Sequence, residues 1–152
     1  MAQLTPAWQA KFQRFLARRI SMSVATTSPT GSPCVADVYF VSDAGLNLYF
    51  YSDPASRHSR NIQRDPRVAV TMRIDSMDWH EIQGLQVDGV AQVMDESQAR
   101  VRAWDWMCEK FPFYRSFTDA VASLKMYCIT PKRIRWIDNS VSFGHKEDFD
   151  LA

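Results

Sequence analysis

The chain has 152 residues, of which 46% are hydrophobic and 23% are charged, and its formal net charge is +1. This length and composition fit one globular domain with a substantial core and exclude an intrinsically disordered chain. The balanced charge argues against a general nucleic-acid-binding protein, which needs an extended basic surface, so any anion-binding site must be local.

Cysteine usage and the N-terminal segment indicate the cellular compartment. The cysteines are odd in number, widely spaced and without a Cys-x-x-Cys pair: Cys34, Cys108 and Cys128. This pattern favours free thiols in a reducing cytoplasm. The histidines are equally scattered, so we predict no metal site. Basic residues interrupt the N-terminal segment, and no apolar run approaches the ~20 residues of a membrane span, so we expect a cytoplasmic protein without membrane contacts.

The first third of the chain changes from a helical to a β pattern. Residues 1–20 are predicted to form an N-terminal helix, because Thr5-Pro6 is typical of a helix start and apolar residues then recur at intervals of three and four. From Met22 onward, strands are predicted over residues 22–27, 34–41 and 46–51. The short turn-rich segments between them predict an antiparallel meander.

The remaining elements complete a small β-rich domain. A polar helix is predicted over 56–64, strands over 67–74 and 85–93, helices over 97–110 and 113–122, closing strands over 124–129 and 133–137, and a last extended piece over 140–144. Gly89 in mid-strand predicts a bulge or bend, as at a barrel corner. Residues 145–152 are expected to form a mobile, charged tail. About six or seven antiparallel strands with flanking helices predict a mainly β (α+β) barrel, because closure removes exposed strand edges.

One basic segment stands apart in this nearly neutral chain. Tyr51 to Val70 carries four arginines and a histidine against two aspartates: Arg57, Arg60, Arg64, Arg67, His58, Asp53 and Asp65. The segment lies where a strand ends and a helix begins, and a helix N-terminus presents free N–H donors. Ser52 and Ser56 add hydroxyl groups, and Arg57 adds a bidentate donor. These groups indicate a phosphate-binding site; the alternative is a solvated helix face whose arginines pair with nearby acidic residues.

The residue order of this segment resembles the phosphate-binding segment of the pyridoxamine 5'-phosphate oxidase-like family. The similarity rests on Phe50-Tyr51-Ser52, on Ser56-Arg57-His58 and on Asp65 to Val70, and it extends to the strand 35–41 and to the strand 84–89. The resemblance implies the FMN-binding split-barrel fold for residues 1–152 as a single domain. The closing pieces resemble a short branch of the family whose activity is ill defined. Because the chain ends soon after Gly144, we do not expect oxidation of pyridoxamine phosphate itself.

The resemblance also implies FMN as the cofactor and assigns residues to it. Ser56, Arg57 and His58 would hold the flavin phosphate, with Tyr51 and Ser52 beside the ribityl-phosphate. The strand that would run beside the isoalloxazine ring consists of Ala36, Asp37, Val38 and Tyr39. Further ring contacts are expected from Gln86 and from Trp136, for which packing in the core is the alternative. The family usually has lysine where His58 stands, so the charge at that position would depend on pH.

Two functions remain open at this stage. The first is an FMN-dependent oxidoreductase that acts on a small-molecule substrate as a homodimer, with the flavin site at the subunit interface. No side chain is assigned as catalytic, because the flavin itself would carry the redox chemistry. The alternative is a non-catalytic protein, or one that binds another cofactor such as a deazaflavin or haem, on the same fold.

Overall fold

The computed structural model describes residues 2–151, which fold into strands with helices between some of them. Within this range there are nine strands: β1 (Ala2–Gln3), β2 (Ser21–Thr27), β3 (Pro33–Tyr39), β4 (Val41–Ser42), β5 (Leu48–Ser52), β6 (Arg67–Arg73), β7 (Gln83–Val93), β8 (Lys125–Asp138) and β9 (Lys146–Asp150). The four α-helices are α1 (Pro6–Ala17), α2 (Arg57–Arg64), α3 (Ser97–Lys110) and α4 (Thr118–Ala122). Short 3₁₀ helices cover Trp79–Glu81 and Pro112–Ser116. None of the described helices is both long and apolar enough to cross a lipid bilayer.

The strands form one sheet that curls into a split barrel. Its order is β1-β9-β8-β7-β6-β2-β3, while β5 pairs with β8 and β4 with β5. Every pairing is antiparallel except that between β1 and β9. Among the described pairings none joins β3 to β5, so the barrel is open between these two strands. The predicted α+β split-barrel fold is therefore confirmed, although residues 2–151 contain nine strands and not the six or seven expected. The opening places the end of β5 beside the edge strand β3.

Helix α1 packs its apolar side chains into one end of the barrel. Phe12, Phe15 and Leu16 of α1 are buried against Trp136 of β8 and Phe149 of β9. The ring centroids of Phe15 and Trp136 lie 5.1 Å apart in an edge-to-face arrangement, which is the preferred geometry of aromatic pairs. Helix α1 therefore closes the barrel at that end.

The predicted irregularity at Gly89 is confirmed. The register between β7 and β8 shifts between Asp88 and Gly89, and Gly89 lies opposite Pro131. A Cβ atom at position 89 would lie 2.7 Å from the carbonyl oxygen of Thr130 and 3.1 Å from Ile129. Glycine is thus needed here because the backbone of β8 approaches too closely for any side chain.

The C-terminal segment differs most from the expectation. The two closing strands are one continuous strand, β8, and residues 140–144 are a turn rather than an extended piece. The expected mobile tail is wrong for residues 146–150, which form β9 along β8. Phe149 is fully buried there, and Asp148 forms ion pairs with Arg133 and Arg135. The expected helix over 1–20 is shorter, because Ala2–Gln3 pairs with β9 as a strand; Met1 and Ala152 lie outside the described residues.

Candidate functional site

Helix α2 is held at the end of β5 by its cap and by contacts to β2. Ser56 is the N-cap, and its Oγ accepts a hydrogen bond from the Ser59 backbone N–H at 3.3 Å. Further along α2, Asn61 donates from Nδ2 to Thr26 Oγ1 at 3.0 Å, and Arg64 donates to the backbone carbonyls at the end of β2. The position of the helix N-terminus is therefore fixed relative to the barrel.

A compact polar cluster joins the end of β5 to the first turn of α2. Ser52 Oγ lies 2.5 Å from His58 Nε2 and 3.2 Å from Ser56 Oγ. Ser59 Oγ donates to Ser52 Oγ at 3.1 Å and accepts from Ser56 Oγ at 2.8 Å. Ser52 and Ser59 are buried, whereas Ser56 and His58 are half-buried. We call these four residues the Ser–His cluster.

The charge state of the cluster is set by its surroundings. Burial lowers the pKa of His58 below its usual value, and the neighbouring Arg57 guanidinium lowers it further. The imidazole is therefore neutral at neutral pH, because desolvation and a nearby cation both disfavour the imidazolium. Positive potential near this end of the cleft therefore comes from the N-terminus of α2 and from Arg57, which lies next to His58 but outside the lining of the cleft.

The Ser–His cluster opens on a cleft between β3 and β5 with a volume of about 660 Å³. The residues that line it are Ile20, Ser21, Asp37, Val38, Tyr39, Tyr51, Ser52, Asp53, Ser56, His58, Tyr114 and Leu124. Burial raises the pKa of Tyr51 to about 12, so its hydroxyl stays protonated. The cleft therefore has a polar, donor-rich end at α2 and an aromatic side formed by Tyr39, Tyr51 and Tyr114.

Most of the site residues indicated by the sequence meet at this cleft. Seven of them line it: Asp37, Val38, Tyr39, Tyr51, Ser52, Ser56 and His58. Ala36 lies on the same strand but does not line the cleft. Arg57 occupies the first position of α2 beside His58, but its side chain is exposed and does not line the cleft.

Trp136 and Gln86 do not line the cleft. Trp136 is only 1% exposed and packs against Phe12 and Phe15, so the expectation that it forms a wall for the flavin ring is wrong. Its side chain points into the barrel, where α1 fills the space. Gln86 is exposed on the outer face of β7 and lines a separate cavity of about 280 Å³ together with Val35.

The arginines of the basic segment divide into two groups. Arg67 forms a 2.7 Å ion pair with Asp65, and Arg64 is bound to backbone carbonyls, so these two stabilise the local fold. The side chains of Arg57 and Arg60 make no ion pair or hydrogen bond with any of residues 2–151. Pairing with acidic residues therefore explains Arg67 but not the two arginines nearest the start of α2.

Several residues of the site were not predicted from the sequence, among them Ile20 and Ser21, which line the cleft. Ser59 completes the Ser–His cluster, and Tyr114 and Leu124 cover the cleft from the segment that follows α3. Ser59 is the third helical residue after the Ser56 N-cap, where Glu or Gln would complete a capping box, so no standard capping pattern indicates it. Tyr114 reaches Tyr51 with ring centroids 6.0 Å apart, a long-range contact that no local pattern reveals.

Comparison with known proteins identifies the family. The sequence profile of the pyridoxamine 5'-phosphate oxidase family matches residues 8–138, and the chain belongs to this family. A UPF0306 protein from Yersinia enterocolitica is 23% identical over 134 residues, which is 88% of this chain and 86% of the relative.

Solved structures show the same fold. The conserved hypothetical protein Rv2991 from Mycobacterium tuberculosis has a TM-score of 0.77 at 19% identity, with 95% of each chain covered. HutZ, the haem storage protein from Vibrio cholerae, has a TM-score of 0.69 at 21% identity and covers 86% of this chain and 91% of its own. At these identities the similarities establish the fold alone.

Proposed function

We propose that this protein is an FMN-binding oxidoreductase whose flavin phosphate lies at the N-terminus of α2, held by Ser56, Arg57 and His58. The observation that carries the proposal is the Ser–His cluster, which is held at a capped helix N-terminus and opens on a cleft of about 660 Å³. Clefts of roughly 300–1,000 Å³ are typical of cofactor sites.

The groups at this end of the cleft suit a phosphate dianion. The first turn of α2 has backbone N–H groups without intrahelical partners, Ser52 and Ser56 supply hydroxyls, and Arg57 supplies a guanidinium fork. One carboxylate, that of Asp53, also lines this end, but it accepts a hydrogen bond from the Ala55 backbone N–H at 2.8 Å. The donor set therefore matches the charge and the oxygen-rich surface of a phosphate.

The opposite side of the cleft suits a planar ring with a polar edge. β3 is an edge strand, so backbone N–H and C=O groups beside Val38 are available to hydrogen-bond a ring edge. Tyr51 and Tyr114 would cover the ring and exclude water. Bound FMN would supply hydride or electron transfer, while this chain would bind the phosphate, orient the ring and shape the space for a small-molecule substrate.

The proposal includes a homodimer with the flavin site at the subunit interface. Val35, on the outer face of β3, is 63% exposed, and Tyr39 at the end of the same strand is 45% exposed. Gln86 lies on the same outer face, away from the Ser–His cluster. A second copy packed on this face would bury these side chains and would bring its own Gln86 toward the cleft.

Sedimentation velocity of two matched variants tests the dimer. Val35→Arg is expected to produce monomers and to weaken FMN binding, because it places a charge within the proposed interface. Val141→Arg is the control, since Val141 is equally exposed at 63% but lies in the turn before β9. Monomeric wild-type protein, or a Val35→Arg variant that stays dimeric, would contradict the interface.

A second candidate is a haem- or deazaflavin-binding protein on the same fold. The structural similarity to the haem storage protein HutZ supports it. Either function is proposed to operate in the cytoplasm, to which the three free cysteines are suited.

Visible absorption of the purified protein separates these functions. We expect a yellow protein, or an apoprotein that quenches the fluorescence of added FMN at stoichiometric ratio and then oxidises a reduced nicotinamide. A colourless protein that leaves FMN fluorescence unchanged and develops a Soret band with added haem would replace the flavin proposal with the haem function.

A further inference from the structure

A second cavity lies beside the cleft and is separated from it by Tyr51 and Leu124, which line both. Its volume is about 530 Å³, and it lies between the start of α3, the end of α4 and the beginning of β8. This is large enough for a small organic ligand. The residues that would hold the flavin phosphate do not line it, so its occupancy is a separate question from FMN binding.

Two aromatic side chains form one wall of this second cavity. Trp104 of α3 and Tyr51 of β5 lie edge to face with ring centroids 5.8 Å apart. Apolar side chains, among them Val101, which is 59% exposed, complete the lining. Aromatic faces of this kind favour a flat ring, which gains contact area at little cost in conformational entropy.

The charged groups of the second cavity favour an anion. Arg100 and Lys125 line it against a single carboxylate, Asp95, and none of the three forms an ion pair within residues 2–151. Lys125 and Asp95 also line the neighbouring cavity next to α2, so Arg100 is the cation that belongs to this cavity alone. A guanidinium binds a carboxylate through two parallel hydrogen bonds.

We propose that the second cavity binds a small planar aromatic carboxylate, with its ring against Trp104 and Tyr51 and its carboxylate on Arg100. Both features are needed for this assignment: the aromatic wall selects a flat ring, and the excess of one positive charge selects a monoanion over a neutral or cationic ligand. Because Tyr51 also lines the cleft, a ligand here would touch the same side chain as the proposed flavin.

Calorimetric titration with 2-naphthoate tests the proposal. Wild-type protein is expected to bind 2-naphthoate saturably and to bind the neutral analogue 2-naphthalenemethanol about tenfold more weakly, the scale of a charge-assisted hydrogen bond. Arg100→Gln should weaken the binding of 2-naphthoate by about tenfold and abolish its preference over 2-naphthalenemethanol. Arg102→Gln is the matched control, because Arg102 is an exposed arginine of the same helix that does not line the cavity.

A second pair of variants tests the aromatic wall. Trp104→Leu is expected to weaken the binding of 2-naphthoate. Trp106→Leu should leave it unchanged, because Trp106 packs on Tyr49 and does not line the cavity. Absence of saturable binding to the wild type, or equal affinities of the wild type and Arg100→Gln, would overturn the proposal.

The same titration in the presence of FMN separates this site from the flavin site. Binding of 2-naphthoate both to the apoprotein and to FMN-saturated protein supports a separate site. Naphthoate binding without any FMN binding supports it as well, and only the flavin proposal then fails. Competition by FMN, together with weaker FMN binding in Arg100→Gln, would show one shared site and would overturn the proposal.

Discussion

His58 makes a distinctive prediction, because its imidazole contacts Ser52 at the end of the cleft where the phosphate is proposed to bind, and the charge of an imidazole depends on pH. The imidazole is neutral in the free protein, since burial and Arg57 lower its pKa below 6.5. A phosphate dianion next to Nε2 would stabilise the imidazolium and raise that pKa. FMN binding should therefore take up a proton, and FMN affinity should increase as the pH falls toward the free pKa.

The size of this pH effect on FMN affinity follows from the linkage between proton binding and FMN binding. Between the pKa values of His58 in the free and in the FMN-bound protein, the dissociation constant of FMN falls by up to about tenfold for each unit by which the pH is lowered. The total gain is bounded by a charge-assisted hydrogen bond of about 1.5–3 kcal/mol, or roughly 10- to 100-fold. Because phosphate itself takes up a proton near pH 6, the useful window lies above that value, and we expect FMN to bind more tightly at pH 6.5 than at pH 8.

Fluorescence quenching of FMN across this pH window measures the effect. Riboflavin, which lacks the phosphate, should bind with an affinity that does not change with pH. His58→Gln should flatten the FMN profile, and His58→Lys should flatten it while binding more tightly at pH 8, provided that urea unfolding shows both variants to be folded. The same pH profile in wild type and His58→Gln would refute the reasoning.

Two stability predictions test the fold that positions the site. Gly89→Ala should lower the free energy of unfolding by about 1–3 kcal/mol in urea titrations, because its Cβ would lie 2.7 Å from the Thr130 carbonyl oxygen; Gly45→Ala, whose nearest neighbours are 3.4 Å away, should change it by no more than about 0.5 kcal/mol. Phe149→Ala should lower the free energy of unfolding by about 3–5 kcal/mol, because Phe149 of β9 is buried in the core. Phe143→Ala should change it little, because that side chain is 79% exposed. Equal losses within either pair would contradict the packing described above.

The parts of the fold that local patterns govern were predictable. The N-cap at Ser56 follows from a serine at the start of a polar helical segment, and its side chain caps α2 as such a residue should. Gly89 predicted the irregularity in β7 because glycine in an alternating strand has no packing role of its own. Both signals lie within a few residues of the feature that they predict.

The predictions were wrong where contacts between residues distant in sequence determine the structure. Pro131 reads as a break between two strands, yet it lies opposite the bulge at Gly89, where the ladder is already irregular, so β8 continues through it. The alternation of β8 does not reveal which face points inward, and Trp136 is buried because α1 covers that face. The charged segment after Gly144 looked mobile, but Phe149 is buried and Asp148 pairs with Arg133 and Arg135 of β8.

The same distinction applies to the candidate site. Tyr51, Ser52, Ser56 and His58 are close in sequence, and they meet because α2 directly follows β5. Gln86 is distant in sequence, and it lines a separate cavity instead of the cleft. Its proposed role would therefore require a second copy of the chain packed on this face.

The central claim is that Arg57 and the start of α2 bind the phosphate of FMN, and its most direct test compares FMN with riboflavin in wild type, Arg57→Ala and the control Arg14→Ala. Arg14 is likewise an exposed arginine, and it lies on α1, away from the helix start that is proposed to bind the phosphate. We expect Arg57→Ala to weaken FMN binding by about 1.5–3 kcal/mol and to leave the affinity for riboflavin unchanged. Arg14→Ala should change neither affinity. Equal FMN affinities in wild type and Arg57→Ala, or no preference of the wild type for FMN over riboflavin, would contradict the assignment of this helix start as a phosphate site.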